Sequence, residues 1–394
     1  MADYPDDPRK IWMPCGLNPH CYQVNLNDEA FTYSQATAGI VMLNQEDLVD
    51  AGKIFNFYNS EWFNPSDGAP AESGFFTVYD KNWGATPGHG RVEYNKIMSP
   101  TAWIAIFSLQ YYAKTGDERA LTLATHIGKW IQTLPHQDGG VAMSTDNPSG
   151  VPNYGKIYSV ENNLTYYALL NNLSVQAKTD ADRQSFTTEK ANLANWLRTK
   201  AYDPTTGLFR RGTTDTISVG ALDSNTWAIS ALGVDGVRSL LNFNDQQFTD
   251  YIRRIEQAFS VQNPGSFGGD ILTAKGFDFS DAQNAARIGR TGIVWVEGTN
   301  EMIQDYEMIS NYYASKGMTS LAVEYQSKAD HFLSLNTNNS ISQNGQLSYT
   351  YSDKALTQIW SDDGNNKTST GSAIDSTAWV YFAINDIDPF YISQ

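Results

Sequence analysis

Six segments of the chain open with a small or acidic polar residue and then run as a helix too apolar on every side to lie on a surface. They are YSQATAGIVML from Tyr33, SPTAWIAIFSLQYY from Ser99, SVENNLTYYALL from Ser159, LDSNTWAISALG from Leu222, VEGTNEMIQDYEMI from Val296 and IDSTAWVYFAI from Ile374. Their starts recur about every 60 to 80 residues, the length of two helices with connections, which marks a repeated supersecondary unit. Between them lie amphipathic helices with charged faces: Gln45 to Asn59, Glu118 to Thr133, Asp180 to Ala201, Asn244 to Phe259 and Met318 to Leu335. Buried inner helices alternating with half-wet outer ones predict an all-α (α/α)6 barrel. The barrel spans residues 1–394 as one domain, with 1–30 as an N-terminal arm. A few short strands belong in the connections, notably around Tyr202 to Gly212, where Pro204 and Gly207 mark a turn.

Long connections precede several inner helices: Trp62 to Ser99, Pro135 to Tyr158, Asn263 to Trp295 and Gln343 to Ala373. They are rich in Gly, Asp, Asn and aromatic residues, and loops of this length inside a compact domain are usually functional. Each leads into the N-terminus of an inner helix, so all emerge on one rim of the barrel, where a cleft is expected.

Composition narrows the partner. With 27 Lys and Arg against 43 Asp and Glu, the net charge of −16 offers no basic footprint for nucleic acid and is repelled by an anionic membrane surface. Aromatic residues make up 13% of the chain, with 10 Trp and 22 Tyr, and charged residues only 18%, a balance suited to stacking rings on neutral, hydroxylated ligands. No apolar run reaches the ~20 residues of a membrane span, and the start MADYPDDPRK has neither the basic nor the apolar region of a signal peptide. Cys15 and Cys21, six apart, either close a small disulfide loop or are free thiols; the disulfide points to an exported protein, secreted or periplasmic, whose signal has been removed.

Aligning the inner helices on their first turns brings Ser34, Ser99 or Pro100, Glu161, Asp223, Glu297 and Asp375 into register. Carboxylates converging at one end of a barrel are what glycosidic cleavage needs: one kept protonated to donate to the leaving oxygen, another to activate water or attack the sugar carbon. Asp223 and Asp375 can equally be helix caps. Glu161 and Glu297, poor caps with apolar neighbours, are the better candidates for a raised pKa. Glu297, Glu301 and Asp305 recur at i, i+4 and i+8 on one face, which either lines the cleft or forms a buried ion-pair network with Arg287 and Arg290.

Trp103, Trp227 and Trp379 match across three inner helices, as core packing or as a cleft floor. Trp62, Trp83, Tyr154, Tyr158, Trp295 and Trp360, in polar loops, are candidates to stack on sugar rings, and Asn162 and Asn225 to bind their hydroxyls. No HExxH, CxxC, GxSxG or Walker A pattern occurs, and no cofactor or metal is expected. SDDGNN from Ser361 is read as a solvated turn. His89 and His136, with a neighbouring Tyr, keep a polysaccharide lyase open, and a barrel with its carboxylates all engaged is a non-catalytic carbohydrate-binding or effector module.

The segments YSVENNL, LDSNTWAISALG, WVEGTNEM and IDSTAWVYFA resemble the six-hairpin glycosidase superfamily over about Tyr33 to Phe382. The resemblance implies an (α/α)6 barrel acting on oligosaccharides or polysaccharides, with acid and base carboxylates at the inner-helix ends; the matching positions are Glu161, Asp223, Glu297 and Asp375. Few loop histidines have arginines nearby, a departure from epimerases of similar fold. The reading is a monomeric glycoside hydrolase with Glu297 or Glu161 as general acid and Asp223 as base or nucleophile. Asp375 and Glu301 tune their pKa values and, with the loop aromatics and Trp227, contact an oligo- or polysaccharide, neutral or weakly basic.

Overall fold

The structure, a computed structural model, describes residues 29–65, 70–80, 96–146, 153–213, 220–343, 345–355 and 370–392. Thirteen helices run through the described residues: α1 (Thr32–Asn44), α2 (Leu48–Phe63), α3 (Met98–Thr115), α4 (Glu118–Ile131), α5 (Val160–Gln176), α6 (Asp180–Trp196), α7 (Asp223–Leu232), α8 (Val234–Leu241), α9 (Asp245–Phe259), α10 (Ala282–Arg287), α11 (Val296–Ser315), α12 (Thr319–Leu335) and α13 (Ile374–Ile384). The apolar segments become α1, α3, α5, α7, α11 and α13, each packed on the next, and α13 packs back on α1 to close the ring. Outside it α2, α4, α6 and α12 pair with α1, α3, α5 and α11, while α9 reaches α7 through Tyr251. This is the (α/α)6 barrel. No described helix is long and apolar enough to cross a membrane.

The two helix classes form for different reasons. α3 buries an almost unbroken run from Thr101 to Leu109, whereas α9 alternates a buried stripe (Phe248, Ile252, Ile255, Phe259) with a wet face. A capping box between Asn244 and Gln247 starts α9. Tyr202–Asp203 pairs with Leu208–Phe209, as expected, across a turn in which Gly207 takes φ 73°.

A repeated ladder fixes the rim. A side chain three residues after the start of an inner helix, or two in α7, accepts a hydrogen bond from the connection leading into that helix: Phe75 N to Thr101, Val141 N to Asn163, Phe209 N to Asn225, Phe277 N to Thr299 and Tyr349 N to Thr377, at 2.8–3.2 Å. Two residues further along each connection, a carbonyl accepts from the start of the preceding inner helix: Thr32 N to Thr77, Met98 N to Met143, Val160 N to Arg211, Leu222 N to Phe279 and Val296 N to Tyr351, at 2.7–3.2 Å. Every connection is thus tied to two neighbouring inner helices, and the first turns are held in common register around the bore.

Candidate active site

That register defines two layers. The first holds Tyr33, Ser99, Glu161, Asp223, Glu297 and Asp375, each one residue past the position whose N–H enters the ladder or, for Asp375, past the start of α13. The second, one helical turn deeper, holds Thr37, Trp103, Thr165, Trp227, Glu301 and Trp379. Tyr33, not Ser34, is therefore the α1 member; Ser34 looks like a helix start, but the hydrogen bond from Thr32 to Thr77 moves the register by one.

Three tryptophans close the bore below the carboxyls. Trp103, Trp227 and Trp379 have ring centroids 5.5, 6.3 and 6.5 Å apart, and all are buried. Tyr33 rests on Trp103 at 5.3 Å, accepts a hydrogen bond from Trp379 Nε1 at 2.7 Å and donates one to Glu297 Oε1 at 2.6 Å. It is the site residue sequence reasoning missed.

The carboxyls divide by environment. Burial is the largest effect on each, and it disfavours the charged form. Asp223 rises only to about 6, because hydrogen bonds from Ser224 and the charge of Arg211 pull it back. Glu301 is pushed up to about 8 by burial and then by Asp223, with the hydrogen bond from Thr226 (2.7 Å) opposing. Glu161, half-buried, is held well above the usual carboxyl range by burial and then by the charges of Asp223 and Glu301, and no hydrogen bond opposes the shift. Glu297 is raised by burial, Asp375 and Glu301, against the bond from Tyr33. Burial thus lifts Glu161 and Glu297 well above the usual carboxyl range, whereas the shift of Asp223 is held back by its hydrogen bonds and by Arg211.

Other expectations move. Asp223 and Asp375 do not cap their helices; the N-cap positions are Leu222 and Ala373. Arg290 does not neutralise the α11 carboxyls but pairs with buried Asp278 at 2.6 Å, and Arg287 donates to Asn284. Glu297, Glu301 and Asp305 instead face the neutral donors Tyr33, Thr226 and Ser230. Asn225, expected at a ligand, is committed to the ladder: it accepts from Phe209 N and donates to the carbonyls of Phe209 and Ala221. Trp295 lies buried and stacked on Phe279 at 4.4 Å, and Trp62 is a core residue of α2 against Phe75 and Trp130. Glu301 and Trp227 sit in the second layer and form the floor.

Asn162 is buried with its Nδ2 lacking a partner among the described residues, Tyr158 lies mostly buried beside the cap of α5, and Asp375 is half-buried in the first layer. Trp83, Trp360, Cys15, Cys21, His89 and the SDDGNN stretch lie outside the described residues. Among the described residues no three His, Cys, Asp or Glu side chains converge to hold a metal ion.

Comparison with solved structures settles the architecture. Cellobiose 2-epimerase from Bacillus thermoamylovorans superposes with a TM-score of 0.58 at 14% identity, over 91% of this chain and 88% of that one. The fold is the (α/α)6 barrel that these solved structures share. A sugar epimerase from a ruminal bacterium gives 0.60 at 12% identity over 97% and 93%, and a glycosidase in complex with glucose gives 0.55 at 8% over 91% and 88%. No protein-family profile and no curated protein matches the chain by sequence.

Proposed function

We propose that this six-hairpin barrel is a carbohydrate-active enzyme and, more narrowly, a glycoside hydrolase cleaving an oligo- or polysaccharide. The observation that carries the reading is the split among the first-layer carboxyls. A glycosidase needs one carboxylate ionised and another protonated on either side of the scissile bond, and environments that push two pKa values apart supply that pair. Asp223 is the base or nucleophile, and Glu161 or Glu297 the proton donor. Asp375 and Tyr33 share the mouth with them, and Glu301 tunes their charge from below. The fold shared with sugar epimerases and glycosidases supports carbohydrate as the substrate class.

Hydrolysis is favoured over an imidazole-driven epimerisation or elimination by the placement of the described histidines. His126 pairs with Glu72, His136 with Glu189, and His331 bonds the Ala274 carbonyl, each away from the first layer. The net charge of −16 favours a neutral glycan, and an exported monomer completes the proposal. Aryl glycosides test the roles. Replacing the true acid (Glu161→Gln or Glu297→Gln) spares turnover of a substrate with an activated leaving group but abolishes that of a natural linkage. Asp223→Asn loses both, and equal losses in all three variants on both substrates overturn the assignment.

A further inference from the structure

The end of the chain turns back beneath the site. α13 stops at Ile384 with Asn385 as its C-cap, Asp386 takes the left-handed conformation at φ 52°, and Ile387 N donates to the Phe382 carbonyl at 3.0 Å. Three inner helices then hold the tail through side-chain amides: Gln304 donates to the Ile387 carbonyl at 2.7 Å, Gln110 to Pro389 at 2.7 Å and Asn172 to Phe390 at 3.2 Å. Asp388 accepts from Phe390 N at 2.9 Å and shapes the turn. Gln110 and Asn172 lie about three turns below the first layer on α3 and α5, so the tail closes the end of the bore opposite the cleft.

Phe390 points up into that end. Only 2% exposed, it packs on Trp103 at 4.6 Å and on Trp227 at 5.4 Å. Tyr33 packs on the same two tryptophans from the first layer, at 5.3 and 6.2 Å. The floor is thus clamped between Phe390 below and Tyr33 above, and Tyr33 passes its position to Glu297 through a hydrogen bond. We propose that the C-terminal tail is a positioning element of the cleft, with Phe390 as its positioning residue, setting the tryptophan floor and through it the Tyr33 and Glu297 pair. The catalytic part of this inference rests on the hydrolase reading.

The test compares full-length Phe390→Ala and Phe390→Leu with wild type. Tyr391→Ala, an exposed change in the same tail, serves as control. Four readouts are taken: near-UV circular dichroism of the tryptophan cluster without substrate, thermal unfolding, separate kcat and KM, and the pH profile of kcat. Displacing a catalytic group by an ångström costs about 100-fold, so Phe390→Ala is expected to lose at least about tenfold in kcat with KM nearly unchanged. Its near-UV bands weaken and its pH profile shifts, Phe390→Leu recovers part of each, and Tyr391→Ala matches wild type.

A Phe390→Ala protein that melts earlier but keeps its near-UV spectrum, kcat and pH profile overturns the proposal and leaves Phe390 as packing alone. If Phe390→Ala does not fold, Phe390→Leu decides by the same readouts. The near-UV arm needs no substrate: a changed spectrum in the variant beside a wild type that cleaves no glycan sinks the hydrolase reading and leaves the positioning of the floor standing, whereas an unchanged spectrum beside an active wild type does the reverse.

Discussion

Glu301→Gln offers a quantitative test of the buried acid layer. Glu301 is fully buried, accepts one hydrogen bond from Thr226 and keeps Oε1 without a partner, so the fold favours its protonated form. Its pKa rises from the usual 4.5 to about 8. For an acid raised in this way, the contribution to stability is complete below pH 4.5 and is lost progressively as pH climbs through 8, because the unfolded chain releases the proton first. At ~1.4 kcal/mol per unit, wild type forfeits about 3 kcal/mol by pH 7 and about 5 kcal/mol above pH 8. Glutamine keeps the shape and the acceptor and cannot ionise. The variant and wild type should therefore have similar stability near pH 4, and the variant should pull ahead by those amounts as pH rises. Denaturant unfolding followed by far-UV circular dichroism at intervals from pH 4 to 9 measures the gap. Parallel curves for the two proteins across that range would refute the claim that burial holds Glu301 neutral.

Tyr33→Phe removes the donor to Glu297 and leaves Trp379 Nε1 without its acceptor. Since that bond opposes the upward shift of Glu297, its loss should move Glu297 further up and reduce kcat about tenfold, the upper worth of one ordinary hydrogen bond; an unchanged pH–rate profile speaks against the contact. On the far side of the barrel, Lys328 bonds buried Glu256 at 2.9 Å, and Tyr306 donates to the same oxygen. Lys328→Ala strands that carboxylate and should cost about 3–5 kcal/mol in denaturant unfolding, with Lys328→Met plus Glu256→Gln recovering most of it. A single variant losing under about 1 kcal/mol would show the pair to be solvated.

The inner helices were legible in the sequence because burial on every side leaves an unbroken apolar run, as in α3 and α13. Outer helices were legible from their stripe and caps, although α6 ends at Trp196 and passes into a single wide turn over Leu197–Ala201. α8 and α10, of eight and six residues, were too short to stand out as separate elements. The first layer was readable at Glu161, Asp223, Glu297 and Asp375 because each begins a matching apolar run. Tyr33 was not, since its place depends on a backbone bond to Thr77, forty-odd residues away. Nor was the service of Asn225 to the ladder: an amide at a helix start looks the same whether it faces a sugar or a neighbouring strand. The ion-pair reading of α11 failed for a related reason, because Arg290 is taken by Asp278, a carboxylate whose burial only the tertiary fold reveals.

The central claim is that the first-layer carboxyls cut glycosidic bonds. It is tested most directly by incubating the protein with a panel of neutral polysaccharides and oligosaccharides, reading new reducing ends and the absorbance of unsaturated sugars together, with Glu161→Gln, Asp223→Asn and Glu297→Gln beside wild type. New reducing ends without that absorbance, lost with Asp223→Asn and with at least one of the glutamate variants, are the predicted result. Unsaturated products, an epimerised sugar with no new reducing end, or hydrolysis that survives in all three variants would contradict it.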